Sequence, residues 1–119
     1  MNPVATAMVC VLSAAFIVIG AAKIAALNSM QTRASHLGFG VGSYRWIGIL
    51  EVTGGLGLLI GWAVPGLGAA AAGGLVLLLC GAIFFHIRIG DTAKDTAPAI
   101  LLAAAAVASL VLYTIEATS

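Results

Sequence analysis

The sequence predicts an all-α membrane protein, an antiparallel four-transmembrane-helix bundle with a short interfacial helix in its first loop. Three observations carry that expectation. Of the 119 residues, 62% are hydrophobic and only 8% charged, against about 45–50% and about 25% in soluble domains. The apolar residues gather in four runs, about 4–27, 46–64, 66–87 and 97–115, each long enough at about 1.5 Å per residue to cross a hydrocarbon core of about 30 Å. The runs are continuous, without the in/out alternation of a membrane β-barrel. A soluble chain this short has too much surface for its volume to hide so many apolar side chains. In lipid each span must satisfy its own backbone polar groups, which a helix does. Residues 1–119 are therefore read as one transmembrane domain.

The first run has no basic segment before it, exceeds the length of a secretory signal core and carries Lys23 near its far end, so it reads as a retained helix. In the connection 28–44, NSMQTRASHLG reads as a short helix with Asn28 as its N-cap and Gly38 as its stop. Met30, Ala34 and Leu37 share one face of it, with Arg33 and His36 off that face. FGVGS is expected to be a hinge before the second span. Pro65 and Gly66 mark a tight turn that makes the second and third spans a hairpin. The connection 88–96 is short and polar, and Pro98 is expected in the first turn of the last helix, where proline costs little. Gly57 and Gly61, like Ala69 and Gly73, have the small-xxx-small spacing that lets helices approach closely. Arg33, Arg45, Arg88 and Lys94 all lie in or beside two connections, while 64–66 has no basic residue. By the positive-inside rule, loops 28–44 and 88–96 are cytoplasmic and both termini lie outside.

That topology gathers the ionisable side chains. In RWIGILEVTGGLGLLIGWA, residues 45–63, Glu51 sits six positions inside an apolar run. A charge at such depth costs about 2.5–3.5 kcal/mol even on the lenient insertion scale, so it turns inward and finds a partner. Lys23, Arg45, Glu51, His86, Arg88 and Asp91 all belong to the cytoplasmic half, and together they define a candidate ligand-binding pocket. Gly48, Gly54 and Gly55 flank Glu51 at helical spacing and give it a small-residued face suited to a helix interface. Bland alternatives stay open: Lys23 can snorkel to the interface, Arg45 can serve as a topology anchor, His86 can cap a helix end, and Glu51 can form a purely structural pair with Lys23 or Arg45.

Other chemistry finds less support. Cys10 and Cys80 stand alone in separate runs and read as small hydrophobes. No metal site is expected: His36 and His86 are the only histidines, and a site would need both beside Glu51 or Asp91. A net charge of +1 argues against nucleic acid as a partner. With no haem-ligand pair, iron–sulfur cysteine set or nucleotide loop, no intrinsic cofactor is expected.

With GAAKIAAL closing the first helix, LGFGVGSYRWIGILEVTGGLGLLIGW through the second and GAIFFHIRIGDTAKDTAPAILL across the third loop, the sequence resembles the DoxX-like family of small four-helix membrane proteins. That family's pattern is a Gly-x-x-Lys, a Gly-x-x-Glu, and a histidine followed by a basic and an acidic residue. Here it falls on Gly20 and Lys23, on Gly48 and Glu51, and on His86, Arg88 and Asp91, in order, over about 100 of the 119 residues. Family members include a subunit of an archaeal thiosulfate:quinone oxidoreductase and a partner of redox-defence enzymes in mycobacteria. The resemblance thus implies an accessory of a soluble oxidoreductase that binds a quinone or another lipophilic small molecule. One redox-associated branch carries paired cysteines, which this chain lacks. The residues also fit a membrane enzyme of isomerase, epoxide hydrolase or cyclase type. In that reading Glu51, His86 and Lys23 are catalytic, exchanging protons with a lipophilic substrate and stabilising developing charge. A third reading is a membrane anchor or a carrier, the latter requiring a homo-oligomer because four helices enclose too little volume for a path.

Overall fold

The computed structural model describes residues 1–119, the side chain of Val41 excepted. Five helices follow one another: α1 (Pro3–Ile24), α2 (Asn28–Leu37), α3 (Val41–Ile60), α4 (Pro65–Arg88) and α5 (Ala93–Thr118). No strand occurs among the described residues. Three helices, α1, α4 and α5, are long and apolar enough to cross a membrane. The fourth expected span, α3, has the length at 20 residues but not the apolarity, because it contains both Arg45 and Glu51.

Capping explains where the elements begin and end. Asn2 accepts from the Ala5 amide at 2.8 Å and Pro3 follows at the start of α1, a pairing that satisfies an orphan donor and presets the helical φ. Three helices close the same way. Leu27 N–H donates to Ala22, Phe39 to Ala34 and Asp91 to His86, the six-to-one bond that closes a helix whose next residue is left-handed. Gly38 and Gly90 take that conformation at φ 83° and 77°, while α1 uses Ala26 at φ 52°, where an L side chain is strained.

Boundaries differ from the sequence reading in three places. Leu27, not Asn28, is the N-cap residue of α2, and Asn28 is already helical. The expected hinge FGVGS contributes only Phe39 and Gly40, since α3 begins at Val41 and Tyr44 in its first turns packs on Met30 and Ala34 of α2. Helix α5 begins at Ala93 because the Thr92 hydroxyl accepts from the Asp95 amide at 3.3 Å. Pro98 therefore lies inside the helix rather than in its first turn, where it cannot donate to Lys94.

The long helices pack in chain order. α1 lies against α3, α3 against α4 and α4 against α5, while α1 meets α5 more sparsely. Gly20 faces Gly48 and Ser13 faces Gly55; Gly54 faces Leu75 and Gly61 faces Gly68; Gly68 faces Tyr113 and Gly73 faces Leu110. At every seam, rising numbers on one helix meet falling numbers on the next. Val9, Leu12, Phe16, Leu58, Leu75 and Tyr113 form the shared core, and the Tyr113 hydroxyl donates to the Leu58 carbonyl, so the phenol is buried with its polar tip satisfied. The small-xxx-small pair Gly57 and Gly61 is spent on this packing, against Ala71 and against Gly68 and Tyr113. The sparse α1–α5 seam leaves an apolar cleft of about 390 Å³ lined by residues such as Met8, Val11, Leu101 and Leu102.

Candidate functional site

Two glycines set up the site. A Cβ added to Gly20 would lie 2.6 Å from the Gly48 carbonyl oxygen, and one added to Gly48 would lie 2.6 Å from the Gly20 carbonyl oxygen. Backbones of α1 and α3 therefore touch there, as only glycine permits. Residues three apart share a helix face, and because the helices run antiparallel, Lys23 and Glu51 leave the glycine contact in opposite directions, about 9 Å apart by helical rise; the long lysine side chain, its Cβ against Gly48, spans that offset. The Lys23 ammonium donates to a Glu51 carboxylate oxygen and pairs with it. The two side chains are only 13% and 5% exposed.

Tyr44 completes this group and was not singled out in the sequence. The Lys23 Nζ lies 4.7 Å from the centre of its ring, a distance at which the aromatic face attracts a cation. The signal was present as spacing: Tyr44, Gly48 and Glu51 stand at i, i+4 and i+7, the single stripe of a helix. Helix α2 roofs the group. Between Lys23, Ala26, Met30, Gln31, Ala34 and Tyr44 no room for a water remains. Buried carboxylate, ammonium and phenol can hold a polar headgroup or exchange a proton with it, provided a ligand gains entry.

A second cluster forms at the same end of the bundle. The closing turn of α4 brings Asp91 back beside His86, three residues before Ile89. Asp91 uses one carboxylate oxygen to accept from His86 Nδ1 at 2.5 Å and the other to accept from His36 Nε2 at 2.7 Å. Asp91 is 7% exposed at its side chain, His36 58%. The hydrogen bonds from His86 and then His36 hold the Asp91 carboxyl below its ordinary pKa of 3.8. Since each histidine takes a different oxygen, the three side chains diverge, and no group of three metal-ligating residues converges among those described.

Of the residues singled out in the sequence, the structure thus joins Lys23 to Glu51 and His86 to Asp91. No hydrogen bond or ion pair links the two groups among the described residues. An aromatic run separates them: Tyr44 to Phe39 at 6.4 Å and Phe39 to Phe85 at 4.8 Å between ring centres. Arg45 and Arg88 are exposed. His36 belongs with His86 and Asp91, a placement that only the fold of α2 over the bundle reveals.

No curated protein and no solved structure matches the chain. The sequence model of one family does, over residues 7–109, a stretch that contains both glycine contacts and both side-chain clusters. The chain belongs to the DoxX-like family, and with its apolar helices it is a membrane protein.

Proposed function

We propose that the protein is a multi-pass membrane protein whose four long helices form one antiparallel spanning bundle, residues 1–119, and whose Lys23–Glu51 pair is the floor of a cytoplasm-facing site for a lipophilic small molecule. The observation that carries this reading is the buried pair itself. Buried ion pairs seldom improve on apolar packing for stability, and ionisable groups kept inside membrane segments mark ligand, ion or proton sites in many membrane proteins. Inclusion of α3 among the spans is supported by its outward face, where Trp46, Leu50, Leu56 and the following Trp62 are exposed. The two tryptophans lie about 24 Å apart at helical rise, suited to the two interfaces of one bilayer. The long dimension of 44 Å fits a bilayer with its headgroup regions. Exposed Arg33, Arg45, Arg88 and Lys94 favour the cytoplasm for the roofed end. The resemblance to the family points to a quinone or related lipophile as the ligand, to a soluble oxidoreductase as the partner, and to an accessory role in electron transfer.

A second reading, an acid–base enzyme acting on a lipophilic substrate, is favoured by Tyr44 beside Lys23 and Glu51. A carboxyl, an ammonium and a phenol in one water-poor site form a proton-transfer set of the kind isomerisation or epoxide opening needs. In this reading Glu51 and Lys23 act directly and His86, engaged by Asp91, does not.

The test is mass spectrometry of the small molecules that co-purify with the wild-type protein and with Glu51→Gln prepared identically. A quinone or terpenoid retained by wild type and lost from the variant is the expected result, and the identity of the molecule decides between accessory and enzyme. The same bulk phospholipid in both preparations would remove the pocket and leave a membrane anchor.

A further inference from the structure

The Lys23–Glu51 pair is shut away from water, so whatever reaches it must first displace something. Above the pair lies α2, a ten-residue helix with Met30 and Ala34 buried, Leu37 half-buried and its other residues exposed. Its two ends are both left-handed turns, Ala26 at φ 52° before it and Gly38 at φ 83° after it. Such single-residue turns allow a helix to swing without unwinding its neighbours, because the change is absorbed at one φ/ψ pair. Apolar contact holds α2 at one side, through Met30 and Ala34 on Tyr44, with Phe39 and Leu37 beside them. On its far side His36, in the last turn of α2, donates to Asp91 in the α4–α5 connection, while the other side-chain hydrogen bond leaving α2, from Gln31 to the Ala26 carbonyl at 2.8 Å, stays at the turn itself. Asp91 is itself held in place by His86 through the closing turn of α4.

We propose that α2 is a lid over the Lys23–Glu51 site, hinged at Ala26 and Gly38 and latched by His36 on Asp91, with His86 as the fixed post behind the latch. This rests on the reading of Lys23–Glu51 as a site that takes a ligand. The latch explains what a capping role for His86 does not. The carboxylate is shared between two histidines, one on the bundle and one on the lid, so the bridge spans the only two parts that must separate for the site to open. Rotation of α2 about the line joining its two hinges carries His36 off Asp91 and leaves the aromatic contact of Phe39 with Phe85, beyond Gly38, in place.

Amide hydrogen exchange read by mass spectrometry, on the full protein in lipid nanodiscs, tests the lid without any ligand. In wild type, the amides of 28–37 exchange faster than those of α1, α4 and α5 but remain protected. In His36→Ala, which removes an exposed side chain and no core contact, exchange in 28–37 rises at least about tenfold while α1, α4 and α5 stay within about twofold, as expected for loss of a hydrogen bond to a charged group. Asp91→Asn, close to isosteric, shifts the same segment in the same direction. Unchanged exchange in 28–37 in both variants overturns the latch. An acceleration shared by every helix also overturns it, since Asp91 would then be holding the bundle rather than a lid. Neither result depends on whether Glu51→Gln loses a co-purifying molecule, so failure of the lid and failure of the site are told apart.

Discussion

Asp91 is the side chain whose chemistry the structure constrains most, because both of its oxygens are taken by imidazole donors. Those bonds favour the charged carboxylate, so its pKa lies below the ordinary 3.8 in the folded protein. The sign follows from linkage. A depressed folded pKa contributes stability that is fully present above the unfolded value, near 3.9, and is lost as pH falls through the folded value. Titration of the Asp91 carboxyl carbon by NMR is expected to give a midpoint below 3.8 in wild type and to return toward it in His86→Gln. Protection of α2 is likewise expected to persist at pH 5 to 7 and to fail only in stronger acid. Glu51 was legible in the sequence because charge in an apolar run is conspicuous. Tyr44 was less so, since an aromatic residue near a helix start has many ordinary uses, and its value came only from the Lys23 Nζ that α1 brings over its ring.

Besides side-chain packing, the pairing of α1 with α3 depends on backbone contact at Gly20 and Gly48. Replacing Gly48 with alanine puts a Cβ 2.6 Å from the Gly20 carbonyl oxygen, which forces the helices apart and should cost about 1–3 kcal/mol as overpacking. Gly74→Ala meets nothing within 4 Å and should be neutral or slightly stabilising through helix propensity. Thermal unfolding of the two variants in detergent checks this: a clear fall in midpoint for the first and none for the second. Both glycines are helical and both sit in apolar runs, so the sequence spacing alone does not separate them. What does is the order of partners, α3 on α1 and α4 with an exposed flank. Element positions were otherwise largely readable, because the runs, Pro65 and Gly38 are strong local signals. The early starts of α3 and α5 were not, since Tyr44 is recruited by contacts distant in sequence and Thr92 is a weak cap whose reach depends on Asp95.

Taken whole, the molecule carries its apolar side chains outward along every long helix, with Val4, Val11, Leu50, Leu77, Leu101 and Ile115 among those exposed. A soluble fold turns such residues inward, whereas the hydrocarbon of a bilayer is a solvent that suits a surface of this kind. The proposed orientation is checked with single cysteines at Ser35 and Ser119, both exposed positions, in a background where Cys10 and Cys80 are serine. A membrane-impermeant maleimide applied from outside is expected to label Ser119→Cys and spare Ser35→Cys, and inverted vesicles should reverse the pattern. The overall class was readable from composition because lipid imposes it so strongly. The separation of the polar residues into two clusters was not, because it depends on Phe39 and Phe85 meeting between them, a contact set by tertiary packing.

The apolar cleft between α1 and α5 has a consequence for how the molecule is made. Each broad seam joins long helices that are synthesised one after another, so each newly made helix finds its main partner already present. Helices α1 and α5 meet only after both intervening long helices have been made, and theirs is the seam that stays loose. Assembly by successive addition needs no earlier pair to separate. The cleft marks the place where the ring closes last, and a bundle that fails to close is expected to part there while its three sequential pairs survive.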